Sequence, residues 1–325
     1  MDMAGVSRVQ RACSTVSRSR RADATGRIRF DYSRRGGLGD AARGPSTGLN
    51  VAAKESLSGS LVDKIQPGES MISRLVSILT VFDREQAVLT AAEISAQSGL
   101  PISTTYRVLN DMTQWGLLEK DARGRFRTGV RLWELALRGS RTLTLRNAAL
   151  PFMEDVQYMV RQHTQLSILE GTDILYIERL SAHVGVVNIT SVAGRLPARV
   201  CSPGLLLAAF ASSSVQDQVI ATEPPPEYCG PNLSSAELRA MLAQIRLQLY
   251  ARADGWIDKA ASGVSAPIRD SSGSVVAAIS VIVPNDGTTP QRTIPILQTA
   301  AVGISRRLGW RPDKRAPFAG VPSPE

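Results

Sequence analysis

The 325-residue chain predicts an α+β fold with two ordered parts, and three observations carry that prediction. Between Thr90 and Thr128, two short amphipathic stretches flank a Gly-Leu-Pro break and lead into a basic strand-turn-strand, the pattern of a winged helix-turn-helix. From Asn147 onward, strand pairs joined by tight turns are separated by helical stretches, the signature of helices packed on an antiparallel sheet. Residues 1–66 share neither pattern.

Those first 66 residues are rich in Arg, Ser, Gly and Ala, and read as a basic disordered extension or as a translated upstream region ahead of a working start near Met71. The segment 67–128 is the expected winged domain. In MISRLVSILTVF, Ile72, Leu75, Val76, Leu79 and Phe82 recur at helical spacing. Thr90 followed by Glu93 is a capping box for the next helix. Gly99 ends that helix, and Pro101 prevents its continuation. A further helix runs from Ile102 to Trp115, and GLLEKDARGRFRTG makes two strands about a turn at Asp121–Gly124. Residues 129–146 are expected as one linker helix. Its Val130, Leu132, Trp133, Leu135 and Leu137 are too many apolar groups for a solvated spacer, so it should pack on the first helix or on a partner subunit.

The segment 147–310 is the second domain. NAALPFMEDVQYMVRQH is helical, TQLSILEG and DILYIERL are paired strands, and HVGVVNITS is a further strand. SPGLLLAAFAS and SSAELRAMLAQIRLQLY are helices, GVSAPIRDSSGSVVAAISVIVP is a hairpin about Asp270–Gly273, and a helix closes the domain. Residues 311–325 read as a disordered tail.

The run Ser103-Thr104-Thr105-Tyr106-Arg107 crowds more donors into a helix start than packing needs. Tyr106, Leu109 and Met112, with Val108 beside them, are expected to face Ala92, Ile94 and Leu100 in the core. Ser103, Thr104, Arg107 and Asn110 then face outward, and Thr105 is counted with them as a hydroxyl for DNA. Free amides and the positive dipole end of a helix start suit a phosphate, and Arg107 suits a phosphate or a guanine edge. Arg123, Arg125 and Arg127 on the hairpin are placed for an adjacent phosphate or the minor groove. The alternative reading makes Ser103 a helix cap and the arginines solvated surface.

The formal net charge of +9 agrees with a polyanionic partner, but residues 1–66 hold ten Arg and two Lys against six acids, so the DNA reading rests on the motif. Cys13, Cys201 and Cys229 are far apart and only His163 and His183 occur, so no metal set forms at recognised spacings and no cofactor is expected. Neither histidine has a nucleophile elbow or triad partner at motif spacing, and no phosphate-binding glycine loop occurs, which argues against an enzyme. No apolar run approaches a membrane span.

LTAAEISAQSGLPISTTYRVLNDMTQWGLLEKDARGRFRTGVRLWEL resembles the DNA-binding domain of the IclR family of bacterial transcription regulators nearly end to end. VGVVNITSVAGRLPARVCSPGLLLAAF, GVSAPIRDSSGSVVAAISVIVP and ISRRLGW are similar to segments of that family's second domain, in the same order. The resemblance implies a GAF-like α/β effector-binding domain, with helices on one side of a sheet and a small-molecule pocket on the other. It implies dimers or tetramers on a palindromic double-stranded operator, and effectors that are small organic or aromatic acids. The effector groups carry over to Cys201, Ser202, Pro203 and Gly204, to Gly263 and to Ser280. The chain departs from the family where a lysine is usual (Leu205), where a cysteine or small polar residue is common (Gly263) and at a second serine (Ile282). Each change removes polarity, so an effector less polar than a small dicarboxylate is expected. The resemblance thus implies a cytoplasmic, nucleoid-associated, ligand-responsive regulator, a repressor or an activator, without membrane attachment. The alternative is a winged-helix protein whose second domain only oligomerises.

Overall fold

The computed structural model describes residues 70–82, 86–182, 191–226 and 228–311. The expectations for residues 1–66, for the end tail beyond Arg311 and for the strand begun at His183 lie outside these residues.

In the N-terminal domain, helix starts and stops follow the capping chemistry. Helix α1 (Met71–Thr80) begins at Ser70, whose hydroxyl accepts from the Ser73 amide. Helix α2 (Ala91–Ser98) opens with the expected capping box: the Glu93 amide donates to Thr90 Oγ1, and the Thr90 amide donates to Glu93 Oε2 at 2.7 Å. Gly99 takes φ +70° at its end, a conformation that costs a residue with a Cβ about 1–2 kcal/mol. Helix α3 (Ile102–Gln114) follows. Strands β1 (Leu118–Lys120) and β2 (Phe126–Thr128) pair antiparallel, and Leu89 bridges to Phe126. Ile78, Ile94, Val108, Leu109, Met112, Leu118 and Phe126 close one apolar core.

The linker differs from its expectation. Helix α4 (Val130–Leu137) stops at Arg138, Gly139 adopts φ +71°, and Ser140 caps a second helix, α5 (Arg141–Val160). The single helix expected over 129–146 is therefore two, because Gly139-Ser140 combines a left-handed breaker with an N-cap. No residue of α4 is buried, and Val130 and Trp133 are 62% and 64% exposed. Val130, Trp133 and Leu135 are thus not covered by the first helix.

The larger domain is built on strands β3 (His163–Glu170), β4 (Asp173–Leu180), β5 (Arg195–Pro197), β6 (Ala251–Asp254), β7 (Ala261–Arg269) and β8 (Val275–Pro284). They form one antiparallel sheet in the order β5-β4-β3-β8-β7-β6. One face packs on α5 and on α9 (Thr289–Arg307) through Met153, Val156, Val264, Ile279, Val281, Leu297 and Ile304. The other carries α6 (Ser202–Phe210), α7 (Ser213–Ala221) and α8 (Ser235–Gln248) over Ile174, Tyr176, Leu196, Ala253 and Ala278. Helices thus cover both faces, where one covered face was expected. The cavity opens between α6 and the sheet. Helix α7 and the short edge strands β5 and β6 had no periodic signal strong enough to stand out from their surroundings.

Alternation sets the two faces of β7 and β8. Val264, Ala266, Ala277, Ile279 and Val281 point to α5 and α9, while Gly263, Ser265, Ala278 and Ser280 point to α6. Ser265 and Ser280 therefore lie on the cavity side, while Ser262 lies on the opposite face and donates to Asp254. Helix α6 itself is buried from Ser202 through Ala209. Each leucine buried there contributes about 1.5–3 kcal/mol of transfer free energy, which anchors the helix start against the sheet. Among the described residues no helix is long and apolar enough to cross a membrane.

Candidate functional site

Two sites emerge, one in each domain. In the first, the face of α3 is set by Thr105, Val108, Leu109 and Met112, all buried. This corrects two expectations. Tyr106 is 50% exposed, not core. Thr105 is fully buried, and its hydroxyl lies 3.2 Å from the Pro101 carbonyl and 3.4 Å from that of Leu100. It donates back to the turn between α2 and α3 and has no path to DNA. Ser95 Oγ also donates to the Leu100 carbonyl, at 2.7 Å, so two hydroxyls hold this turn.

The outward face of α3 carries Ser103, Tyr106, Arg107 and Asn110, with Thr104 half-buried at its margin. The helix begins at Pro101 without a side-chain cap and without an acidic residue in its first turn. Ser103 therefore does not cap the helix, and the first amides are left for an external acceptor. On the hairpin, Arg125 pairs with Asp121 at 2.8 Å and Arg127 with Glu119 at 2.6 Å. The hydrogen bond from Arg127 is the first cause that holds the Glu119 carboxyl below its usual range; for Asp121 it is the Arg125 amide. Arg123, at the exposed tip, has no ion pair among the described residues. The three wing arginines are thus not equivalent: two also fasten the hairpin.

The second site is a cavity of about 60 Å³ beneath the start of α6. Cys201, Ser202 and Pro203 enter it from the helix start, Gln165 and Tyr176 from β3 and β4, and Gly263, Ser280 and Ile282 from β7 and β8. The β6–β7 connection closes it with Trp256, Ile257 and Asp258. Trp256 is held from behind, where its carbonyl accepts from the Cys229 amide at 2.8 Å and its ring meets Tyr228 edge-on at 5.7 Å.

Gly204 is not part of this cavity, contrary to expectation. A Cβ there would lie 2.1 Å from the Ala198 carbonyl oxygen, so glycine is required for α6 to seat on the preceding turn. Gly263 is different: a Cβ there would meet Ser202 Oγ at 2.8 Å. Its bare backbone makes room for that hydroxyl. Ser202 is 2% exposed, and its Oγ has no hydrogen-bond partner among the described residues. An unsatisfied buried hydroxyl costs about 1–3 kcal/mol, so its position inside a cavity points to a ligand atom. Ser280 Oγ lies 3.4 Å from Gln165 Oε1 and donates to it across β3 and β8.

The Cys201 thiol and the Tyr176 phenol stay neutral. Burial pushes the Cys201 thiol up to about 12, and its Sγ donates weakly to the Pro197 carbonyl. Burial also raises the Tyr176 phenol well above its usual value. No acidic residue sits in the first turn of α6, so the helix start presents amides and partial positive charge to the cavity. Such a site accepts one anionic group at the helix end and apolar bulk against Trp256, Ile257 and Leu196.

Gln165, Tyr176, Trp256, Ile257 and Asp258 were not anticipated. They come from three separate elements, and only the sheet register unites them. The alternation of Gln165 and Ser167 along β3, with Ser280 opposite Gln165 and Ser265 opposite Ser280, was the one available signal.

Known proteins bear on both sites. Residues 71–122 match the IclR helix-turn-helix domain, and residues 140–306 match the bacterial transcriptional regulator IclR C-terminal domain. The chain belongs to the IclR family. An IclR homologue from Microbacterium hydrocarbonoxydans, solved in complex with 4-hydroxybenzoate, is 43% identical, with a TM-score of 0.69 over 74% of this chain and 99% of that one. The Pca regulon regulatory protein of Pseudomonas putida is 27% identical over 73% of this chain and 83% of its own length. The Escherichia coli regulator XynR is 24% identical over 74% of this chain and 97% of its own length. This IclR member is accordingly a transcriptional regulator with a helix-turn-helix DNA-binding domain.

Proposed function

We propose that the chain represses transcription as a self-associated, cytoplasmic regulator that releases its operator when a small aromatic monocarboxylate fills the α6 cavity. Two copies present two α3 helices to a palindromic site. Ser103, Thr104 and the uncapped first amides of α3 take phosphate oxygens. Arg107 and Asn110 point to base edges, where a bidentate contact contributes about 1–3 kcal/mol of discrimination. Arg123 meets the flanking backbone, and Arg125 and Arg127 add to it by exchanging their exposed carboxylate partners for phosphate.

The observation that carries the ligand reading is the buried Ser202 hydroxyl without a partner, aimed into an apolar cavity at a helix start. The likeness to a homologue bound to 4-hydroxybenzoate supports the same chemistry. The ligand carboxylate lies at the α6 start, and the ring lies against Trp256 and Ile257. The test is operator binding by fluorescence anisotropy, with the promoter DNA next to this gene and with 4-hydroxybenzoate titrated in. Weakened DNA binding at saturating acid supports the proposal. Tighter binding makes the protein an activator of the same class. No change in either affinity or melting temperature leaves a winged-helix protein whose second domain only oligomerises, and refutes the ligand reading.

A further inference from the structure

Strand β6 ends the sheet, and its hydrogen-bond parity leaves two residues open. The Gly255 amide donates to the Ala261 carbonyl at 2.9 Å, and the Asn285 amide to that of Ala260. With Ala253 opposite Gly263 and Ala251 opposite Ser265, the odd-numbered residues of β6 bond inward to β7. The amides and carbonyls of Arg252 and Asp254 then point out of the sheet. On either side the edge is closed, because Gln248 Nε2 donates to the Tyr250 carbonyl at 3.0 Å and the Cys229 amide to that of Trp256. Between them, the outward backbone groups of Arg252 and Asp254 have no partner among the described residues.

The neighbouring helix is prepared for contact in the same place. Every charged side chain of α8 is used inside the subunit. Glu237 caps the helix at Ser234, Arg239 pairs with Asp217, and Arg246 donates to the Ala209 carbonyl. What remains beside β6 is a groove lined by Ala240, Met241, Gln244, Gln248 and Tyr250, without charge until Arg252. Leu247 next to it is 79% exposed. An open edge beside an uncharged helix face is a liability that soluble proteins normally block.

We propose that a second copy of this chain pairs antiparallel with β6 about a two-fold axis at Ala253, joining two six-stranded sheets into one. This register places Arg252 opposite Asp254 of the partner subunit, and the reciprocal pair forms by symmetry. It uses the outward amides and carbonyls of both residues. A two-fold at Arg252 would set two arginines directly opposite, and one at Asp254 two aspartates, and like charges in that position are destabilising. Charge therefore selects one register of the three. Ala253 also lines the ligand cavity, so the seam passes beside the site that senses the ligand.

This inference rests on the self-association in the proposed function and not on its ligand. The test is light scattering on the full chain after size exclusion, with circular dichroism to check folding. Arg252→Asp and Asp254→Arg each set like charges across the seam and halve the assembly mass. The double variant R252D/D254R restores opposite charges and recovers the original mass. Because Arg252 also pairs with Asp254 within the subunit at 2.6 Å and Asp254 accepts from Ser262 Oγ, Arg252→Pro, compared with Arg252→Ala, provides an independent probe. Its N–H points out of the sheet, so the β6–β7 bonds survive while the seam is blocked, and the mass halves again. An oligomer whose mass none of the single variants changes refutes the seam and leaves self-association intact. A double variant that fails to recover refutes the register. A monomeric wild-type chain refutes both the seam and the two-subunit operator complex.

Discussion

Replacing Gly263 with alanine places a methyl carbon 2.8 Å from Ser202 Oγ and 3.5 Å from its Cβ. The first distance is about 0.6 Å inside ordinary contact, and the second is acceptable, so the hydroxyl is the atom that must move. It rotates away from the cavity, and a ligand carboxylate loses that donor. A hydrogen bond to a charged group contributes about 1.5–3 kcal/mol, which corresponds to a rise of roughly ten- to 150-fold in Kd. Isothermal titration with 4-hydroxybenzoate reads this directly. Ser202→Ala should weaken binding by a similar factor while leaving the free protein no less stable, because it removes a buried hydroxyl that lacks a partner. In that background the Gly263 change has no hydroxyl to displace. The double variant should bind like Ser202→Ala alone, a departure from additivity of about the whole single-variant effect. Unchanged affinity in Gly263→Ala, or additive losses in the pair, would show that Ser202 does not meet the ligand.

Other consequences follow from single side chains. Thr105→Val removes the hydroxyl that bonds the turn carbonyls, and should lower unfolding free energy by about 1–2 kcal/mol in denaturant melts; the operator affinity of the folded fraction should stay within twofold. Asp286 accepts from the Thr288 and Thr289 amides and from the Thr289 hydroxyl, the largest cause of its carboxyl being held down at about 2. Because the folded value lies below the ordinary 3.8, its stabilisation is complete above that ordinary value and fades as pH falls toward about 2. The melting-temperature gap between wild type and Asp286→Ala should therefore narrow from pH 5 to pH 2.5, and a constant gap contradicts the assignment. Cys201, with its thiol raised to about 12 by burial, should resist iodoacetamide at pH 8 until the protein unfolds, as read by peptide mass mapping.

Local chemistry made much of the winged domain legible. The Thr90–Glu93 box, Gly99 and the Asp121–Gly124 turn each specify backbone geometry within four residues. The phase of α3 was harder to read. Hydrophobicity favoured Tyr106 as a core residue, yet positions 105, 108, 109 and 112 share one face. A threonine occupies the first of them because the carbonyls of Leu100 and Pro101 satisfy its hydroxyl. The break at Gly139-Ser140 was visible in principle, but the apolar residues on either side suggested continuity. Gly204 illustrates a different limit: a glycine beside a ligand and a glycine beside a carbonyl look alike in sequence, and only the Ala198 contact separates them. The cavity walls from β3, β4 and the β6–β7 connection depend on strand order, which no local pattern encodes.

The central claim is that the outward face of α3 holds the operator, with Arg107 at its centre. The most direct measurement is operator affinity of Arg107→Ala by fluorescence anisotropy at several salt concentrations, beside its assembly mass and melting temperature. The account predicts a loss of at least tenfold at moderate salt that persists across the salt series, because a base-edge contact is not a phosphate contact, and unchanged mass and melting. Operator affinity equal to wild type across the salt series would contradict it.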